Sequence, residues 1–151
     1  SHPDFNGVEN LSHGEKTPFL ISGPGEYECK NVSVRGFPLR ARYEGKEEKT
    51  NTLYVLETLG MKLCFVGVLS DGKVEGEARE AATNADILFV PVGEGALSPQ
   101  DAYALASSLE PKIIVPMQHV PGGEGALKKF LKARKRLTRI DCSFLTTNYF
   151  S

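Results

Sequence analysis

Asn51-Thr52-Leu53-Tyr54-Val55-Leu56-Glu57-Thr58-Leu59-Gly60-Met61-Lys62-Leu63-Cys64-Phe65-Val66 is two apolar runs around a two-residue break. Thr52–Thr58 and Met61–Val66 each have strand length, and Leu59-Gly60 between them supplies the turn, so the stretch predicts a β-hairpin. Upstream, the apolar run Thr17–Ser22 ends in Gly23-Pro24-Gly25. Pro fixes φ and Gly accepts φ > 0, which suits a type II turn. Two short strands are expected next, Glu26–Lys30 and Val32–Gly36, with Tyr27 and Cys29 on one face and Glu26 and Glu28 on the other. From Pro38 to Thr50 charges crowd the chain (Arg40, Arg42, Glu44, Lys46, Glu47, Glu48, Lys49), and this stretch reads as an exposed loop.

Downstream of the hairpin the rhythm changes. Val74–Thr83 has helical spacing, and Asp86–Val92 is a continuous apolar run of buried-strand character. Ser98-Pro99 offers an N-cap followed by Pro at the first helical position, with Asp101 in the first turn, opening a helix to Leu109. Lys112–Pro116 is a further strand, Gly125–Leu137 a helix and Ile140–Leu145 a weak last strand. Hairpin-joined strands followed by alternating helix and strand predict an α/β fold, a mixed sheet covered by helices. No repeat or linker interrupts residues 1–151, so one domain is expected.

Composition narrows the function classes. The 151 residues are 40% hydrophobic and 25% charged with a formal net charge of −1. That balance carries no overall bias toward nucleic acid or acidic membranes. Cys29, Cys64 and Cys142 are odd in number and widely spaced, and read as buried free thiols of a reducing, cytoplasmic compartment. No apolar run has the length of a membrane span, and no signal peptide is visible. Ser1-His2-Pro3-Asp4-Phe5 reads as a broken His-x-His-x-Asp-His cluster, in which a turn after a strand would aim imidazoles and a carboxylate at one or two divalent ions. His2 and Asp4 fit it, Phe5 does not, and half a motif at position 1 leads us to expect that the first strands of the fold are missing.

Six blocks occur in a telling order: Ile21-Ser22-Gly23-Pro24-Gly25-Glu26-Tyr27-Glu28, Val32-Ser33-Val34-Arg35-Gly36, Asn51-Thr52-Leu53-Tyr54-Val55-Leu56-Glu57, Phe65-Val66-Gly67-Val68-Leu69, Asp86-Ile87-Leu88-Phe89-Val90-Pro91-Val92-Gly93, and Glu110-Pro111-Lys112-Ile113-Ile114-Val115-Pro116-Met117. From Ser1 to about Leu137 the chain resembles the small bacterial metallo-β-lactamase-fold hydrolases, in the branch similar to ascorbate-6-phosphate lactonase. The resemblance implies a four-layer αβ/βα sandwich with metals at one edge of its two sheets, of which this chain supplies the later part.

It also implies ligand positions, and most of these are substituted. The cluster ends in Phe5, the His after the Val-Arg-Gly strand falls at about Ala41, the bridging Asp is Val68, and the final His is Gln118. No His lies between His13 and His119. What remains is vestigial: His2 and Asp4, with Asp4 equally able to cap a short helix through Val8 and Leu11. A makeshift site of His2, Asp4, Asp71 and His119 is the alternative, holding Zn or Mn, although Ser70-Asp71-Gly72 also reads as a turn. Arg40 and Arg42, bordering the substrate cleft by the resemblance, suit an anionic ligand, against a solvated loop of mixed charge.

Lys128, Lys129, Lys132, Arg134, Lys135, Arg136 and Arg139 form the one strong charge feature. Leu127, Phe130, Leu131 and Leu137 at helical spacing make it an amphipathic helix with its charged face in water. No aromatic platform accompanies the charge, so nucleic acid is not the expected partner. The expectation is a hydrolase-family scaffold without its two-metal site or any cofactor, binding a small molecule or protein, or forming a homo-oligomer. An active metal-dependent hydrolase is the competing reading.

Overall fold

In the computed structural model, residues 18–41, 49–69, 72–93, 97–117 and 124–133 are described. Six strands form one sheet in sequence order: β1 Gly25–Cys29, β2 Val32–Ala41, β3 Lys49–Thr58, β4 Met61–Phe65, β5 Ile87–Pro91 and β6 Ile113–Met117. The first four run antiparallel, while β5 and β6 lie parallel to β4. That switch follows from the connections. A two-residue turn such as Leu59-Gly60 reverses the chain, with φ of +51° and +74° at its two residues; a helical crossover returns it in the same direction. The helices are α1 Gly76–Ala82, α2 Pro99–Leu109 and α3 Glu124–Ala133.

Register assigns the faces. Val55, Cys64 and Leu88 lie side by side across β3, β4 and β5 and are all but fully buried. They pack with Ala78, Ala81 and Ala82 of α1, Leu105 and Leu109 of α2, and Phe130 of α3, so every helix contributes to the core on this one face. Small alanines on α1 let it lie close to the sheet. The start of α2 is as expected: Ser98 Oγ accepts from the Asp101 backbone N–H at 3.1 Å, and Pro99 stands in the first turn. Its end is a left-handed Glu110 at φ +50°.

The Gly-Pro-Gly turn is fastened by two tyrosines. Tyr27 and Tyr54 both donate to the Gly23 carbonyl, at 3.0 and 3.3 Å. Gly36 lies under this turn, where a Cβ would come within 2.9 Å of the Gly23 oxygen and 3.0 Å of the Tyr54 ring. Only glycine leaves room there.

Two expectations are corrected. Residues 38–50 are not simply an exposed loop: β2 continues to Ala41 and β3 begins at Lys49, with Pro38 opposite Thr52 and Arg40 opposite Thr50. Arg40 sits there with its charged side chain exposed. Cys29 is exposed rather than buried, because β1 is an edge strand with solvent beside it, whereas Cys64 is buried as expected. The last predicted strand, Ile140–Leu145, lies outside the described residues, as do Cys142 and the helix proposed around Val8 and Leu11.

Candidate functional site at the carboxyl edge of the sheet

In open sheets with parallel strands, ligands bind beyond the carboxyl ends of those strands. Here that edge collects the chain after Phe65 of β4, after Pro91 of β5 and after Met117 of β6. The antiparallel pairing adds the end of β2 and the start of β3. Two of the expected ligand positions, Ala41 and Val68, therefore come to one edge of one sheet, and Gln118, one residue past β6, lies outside the described residues.

The chemistry of this edge is apolar. Val68 is 2% exposed, and Val66 and Leu69 beside it in the chain and Val92 just past β5 are fully buried. Among the described residues the buried polar ones are neighbours at the start of β3, Thr52 at 3% exposure and Asn51, fully buried. Its Nδ2–H donates to the Val66 carbonyl at 2.8 Å, tying the start of β3 to the end of β4. Its Oδ1 has no hydrogen-bond partner. Gly67 completes the arrangement: it turns the chain at φ +71°, and a Cβ there would run into the Asn51 carboxamide. Asn51 was not singled out in the sequence, because a polar residue at a strand entrance reads as a turn boundary; its burial follows from the β2–β3–β4 register.

A two-metal centre of the kind the resemblance implies needs several imidazoles and carboxylates aimed at one point. Among the described residues no group of three His, Cys, Asp or Glu side chains could hold a metal. One neutral carboxamide oxygen in an apolar shell does not substitute for them, so the described residues do not fit the group. His2, Asp4, Asp71 and His119, the makeshift set, lie outside the described residues, as do Phe5 and Arg42. Arg40 is described: it is exposed near the end of β2, at this same edge.

Asp86, Cys64 and Arg35 lie within the sheet or toward its opposite edge. Asp86, at the opposite edge, pairs with Lys112 at 2.6 Å and accepts from the Lys62 backbone N–H at 2.7 Å. The Lys112 hydrogen bond, then the backbone one, hold its carboxyl below the usual value of 3.8. Burial pushes the Cys64 thiol up to about 12, which leaves it a neutral core side chain and no nucleophile. Arg35 is matched by Glu57 at 3.1 Å and lies over the Phe37 ring. Among the described residues no helix is long and apolar enough to cross a membrane.

Comparison with known proteins agrees with the fold. The model of a family described as "Beta-lactamase superfamily domain" matches residues 1–118. A Thermotoga maritima protein described as a Zn-dependent hydrolase of the metallo-β-lactamase superfamily is 27% identical, with a TM-score of 0.60 over 77% of this chain and 59% of its own. Igni18, described as a metallo hydrolase from Ignicoccus hospitalis, is 14% identical, with a TM-score of 0.53 over 79% of this chain and 55% of its own. The metallo-β-lactamase fold protein YhfI of Bacillus subtilis is 11% identical, with a TM-score of 0.56 over 86% of this chain and 55% of its own. The chain thus spans little more than half the length of these structures. No curated protein sequence matches it. With six strands in this order, helices on one face and a family match over most of its length, the chain belongs to the metallo-β-lactamase superfamily.

Proposed function

We propose that this protein is a binding scaffold, a metallo-β-lactamase-fold relative of hydrolases that has given up the two-metal centre. The observation that carries the reading is Val68: where the resemblance calls for a carboxylate bridging two metals, a valine is packed away from solvent. A hydrolase of this design uses a metal-bound hydroxide as nucleophile, and an isopropyl group neither binds a cation nor orients water. Fold does not confer activity, so a scaffold that has lost its ligands can retain a binding edge. Arg40 and Arg42 would favour an anionic small molecule or an acidic protein surface there. The cytoplasm is the compartment we assign, on the strength of unpaired thiols in the sequence.

The second reading is an active metal-dependent hydrolase built on His2, Asp4, Asp71 and His119, with Zn or Mn. It is favoured by the 27% identical Thermotoga maritima protein, described as a Zn-dependent hydrolase. Plasma mass spectrometry of the protein, purified after growth with added zinc and manganese, separates the two. We expect no metal beyond trace in a folded sample. Near-stoichiometric metal that disappears on His2→Ala or His119→Ala would replace the scaffold by the hydrolase.

A further inference from the structure

Charge is spread unevenly along this chain. Residues 128–139 hold seven Lys and Arg and no Asp or Glu, so they carry +7 of a formal net charge of −1, and the rest of the sequence carries −8. The first part of this run lies on α3. Its apolar side chains decide how the helix sits. Phe130 is 3% exposed in the core, with Ala126 packed against that core, so this side turns inward. Lys128, Lys129 and Lys132 are exposed. At 3.6 residues per turn they fall within about 100° of arc, on the side away from Phe130 and Ala126.

Four cations elsewhere are spent on internal acceptors. Arg35 pairs with Glu57 and Lys112 with Asp86, while Lys62 donates to the Thr83 carbonyl and Arg79 to that of Ser108. Neither Lys129 nor Lys132 has an ion-pair partner among the described residues. Like charges on neighbouring helical positions repel, and a partner of opposite sign relieves the repulsion. We propose that the outer side of α3 binds the phosphate backbone of double-stranded nucleic acid.

The residues of the helix select this partner among anionic ones. An acidic membrane holds a helix by an apolar face laid into the lipid. In α3 that face is used in the core, and Leu131, 43% exposed, is the one large apolar side chain it leaves outside. Protein interfaces are depleted in Lys and enriched in aromatic residues, and the outer side of α3 offers the reverse. Single strands need aromatic side chains on which to stack their bases, and it is their absence that counts against nucleic acid in the sequence. A duplex backbone needs none: Lys and Arg neutralise its phosphates, and released counterions drive the association. Contact of this kind is independent of whether the carboxyl edge holds a metal.

The test is fluorescence anisotropy of a labelled DNA duplex, and of an RNA duplex of the same sequence, titrated with the protein between about 50 and 200 mM salt. Each phosphate neutralised adds about 0.9 to the fall of log K with log salt, so three lysines predict a slope of about −3 or steeper. Lys129→Gln with Lys132→Gln should make the slope shallower by about 2. Both side chains are exposed, so the circular dichroism spectrum should not change. Lys30→Gln, exposed between β1 and β2 at the far edge of the sheet, should leave the slope as in wild type. The proposal is overturned by no binding to either duplex at about 50 mM salt, by a slope that the double variant leaves unchanged, or by an equal loss in Lys30→Gln. Tighter binding to phosphatidylserine vesicles than to either duplex would overturn it as well.

Discussion

Gly67→Ala should be among the most damaging single-methyl additions this fold can receive. Gly67 sits at φ +71°, where a residue with a Cβ costs about 1–2 kcal/mol. The added methyl also points into the Asn51 carboxamide. Asn51 is fully buried and cannot swing into water, and moving it breaks the 2.8 Å bond from Nδ2 to the Val66 carbonyl. Losing that bond and stranding a buried amide costs roughly 1–3 kcal/mol more. The sum is ~2–5 kcal/mol, a large part of the roughly 5–15 kcal/mol that holds a typical domain together. Urea denaturation followed by circular dichroism reads it directly as a lower midpoint with an unchanged slope. Asn51→Ala provides the internal control. With the carboxamide gone, Gly67→Ala should cost only the backbone strain, so the double-mutant cycle should return a coupling of about 1–3 kcal/mol. A Gly67→Ala variant within half a kcal/mol of wild type, or one whose full cost persists in the Asn51→Ala background, would refute the clasp as the reason for glycine.

Two further tests concern titration. Because its partners hold Asp86 below its ordinary pKa of 3.8, the carboxylate contributes stability above that value and loses it as pH falls through the lower folded value. Urea midpoints measured from pH 5 downward should decline in wild type and decline less in Asp86→Asn, and parallel curves would dismiss the contribution of Asp86. Cys64 behaves oppositely: with its pKa raised from 9.0 to about 12, its contribution is whole below pH 9 and is lost as pH rises toward 12. Peptide mapping after iodoacetamide at pH 8 should find Cys29 alkylated and Cys64 untouched until denaturant is added; early labelling of Cys64 would contradict its burial.

How much of this was legible from the chain differs by region. The β3–β4 hairpin, the Ser98-Pro99 helix start and the apolar run of β5 were read correctly because local signals and tertiary environment agree there. The outer half of the β2–β3 pair was not. Arg40, Lys49 and their neighbours look like loop by composition, yet pairing with Thr50 and Ala41 extends the ladder, and the exposed Arg40 shows that a charge is tolerated there. Cys29 was misplaced for a related reason: alternation gives its face, but only the strand order shows that β1 is an edge. At the candidate site, the resemblance draws attention to Val68 in the sequence, while nothing there marks Asn51. Its importance depends on a contact made across 15 residues with the Val66 carbonyl.

The scaffold reading also accounts for the kind of residue found at the substituted positions. Phe5, Ala41, Val68 and Gln118 differ in size and polarity, yet none carries a charge. A carboxylate at a dry sheet edge is tolerable while a cation neutralises it; once an imidazole is lost and the cation binds poorly, the same carboxylate becomes a buried, unpaired charge. Breaking a buried pair in that way typically costs about 3–5 kcal/mol, whereas replacing both partners by apolar groups is often neutral or stabilising. In a metal-free descendant the first ligand lost therefore makes the remaining acid a liability, and Val68 joins its neighbours Val66 and Leu69 in the core. The Asn51 carboxamide and Gly67 hold the end of β4 through contacts of their own. These protein contacts tie the start of β3 to the end of β4, which suits the binding scaffold we propose.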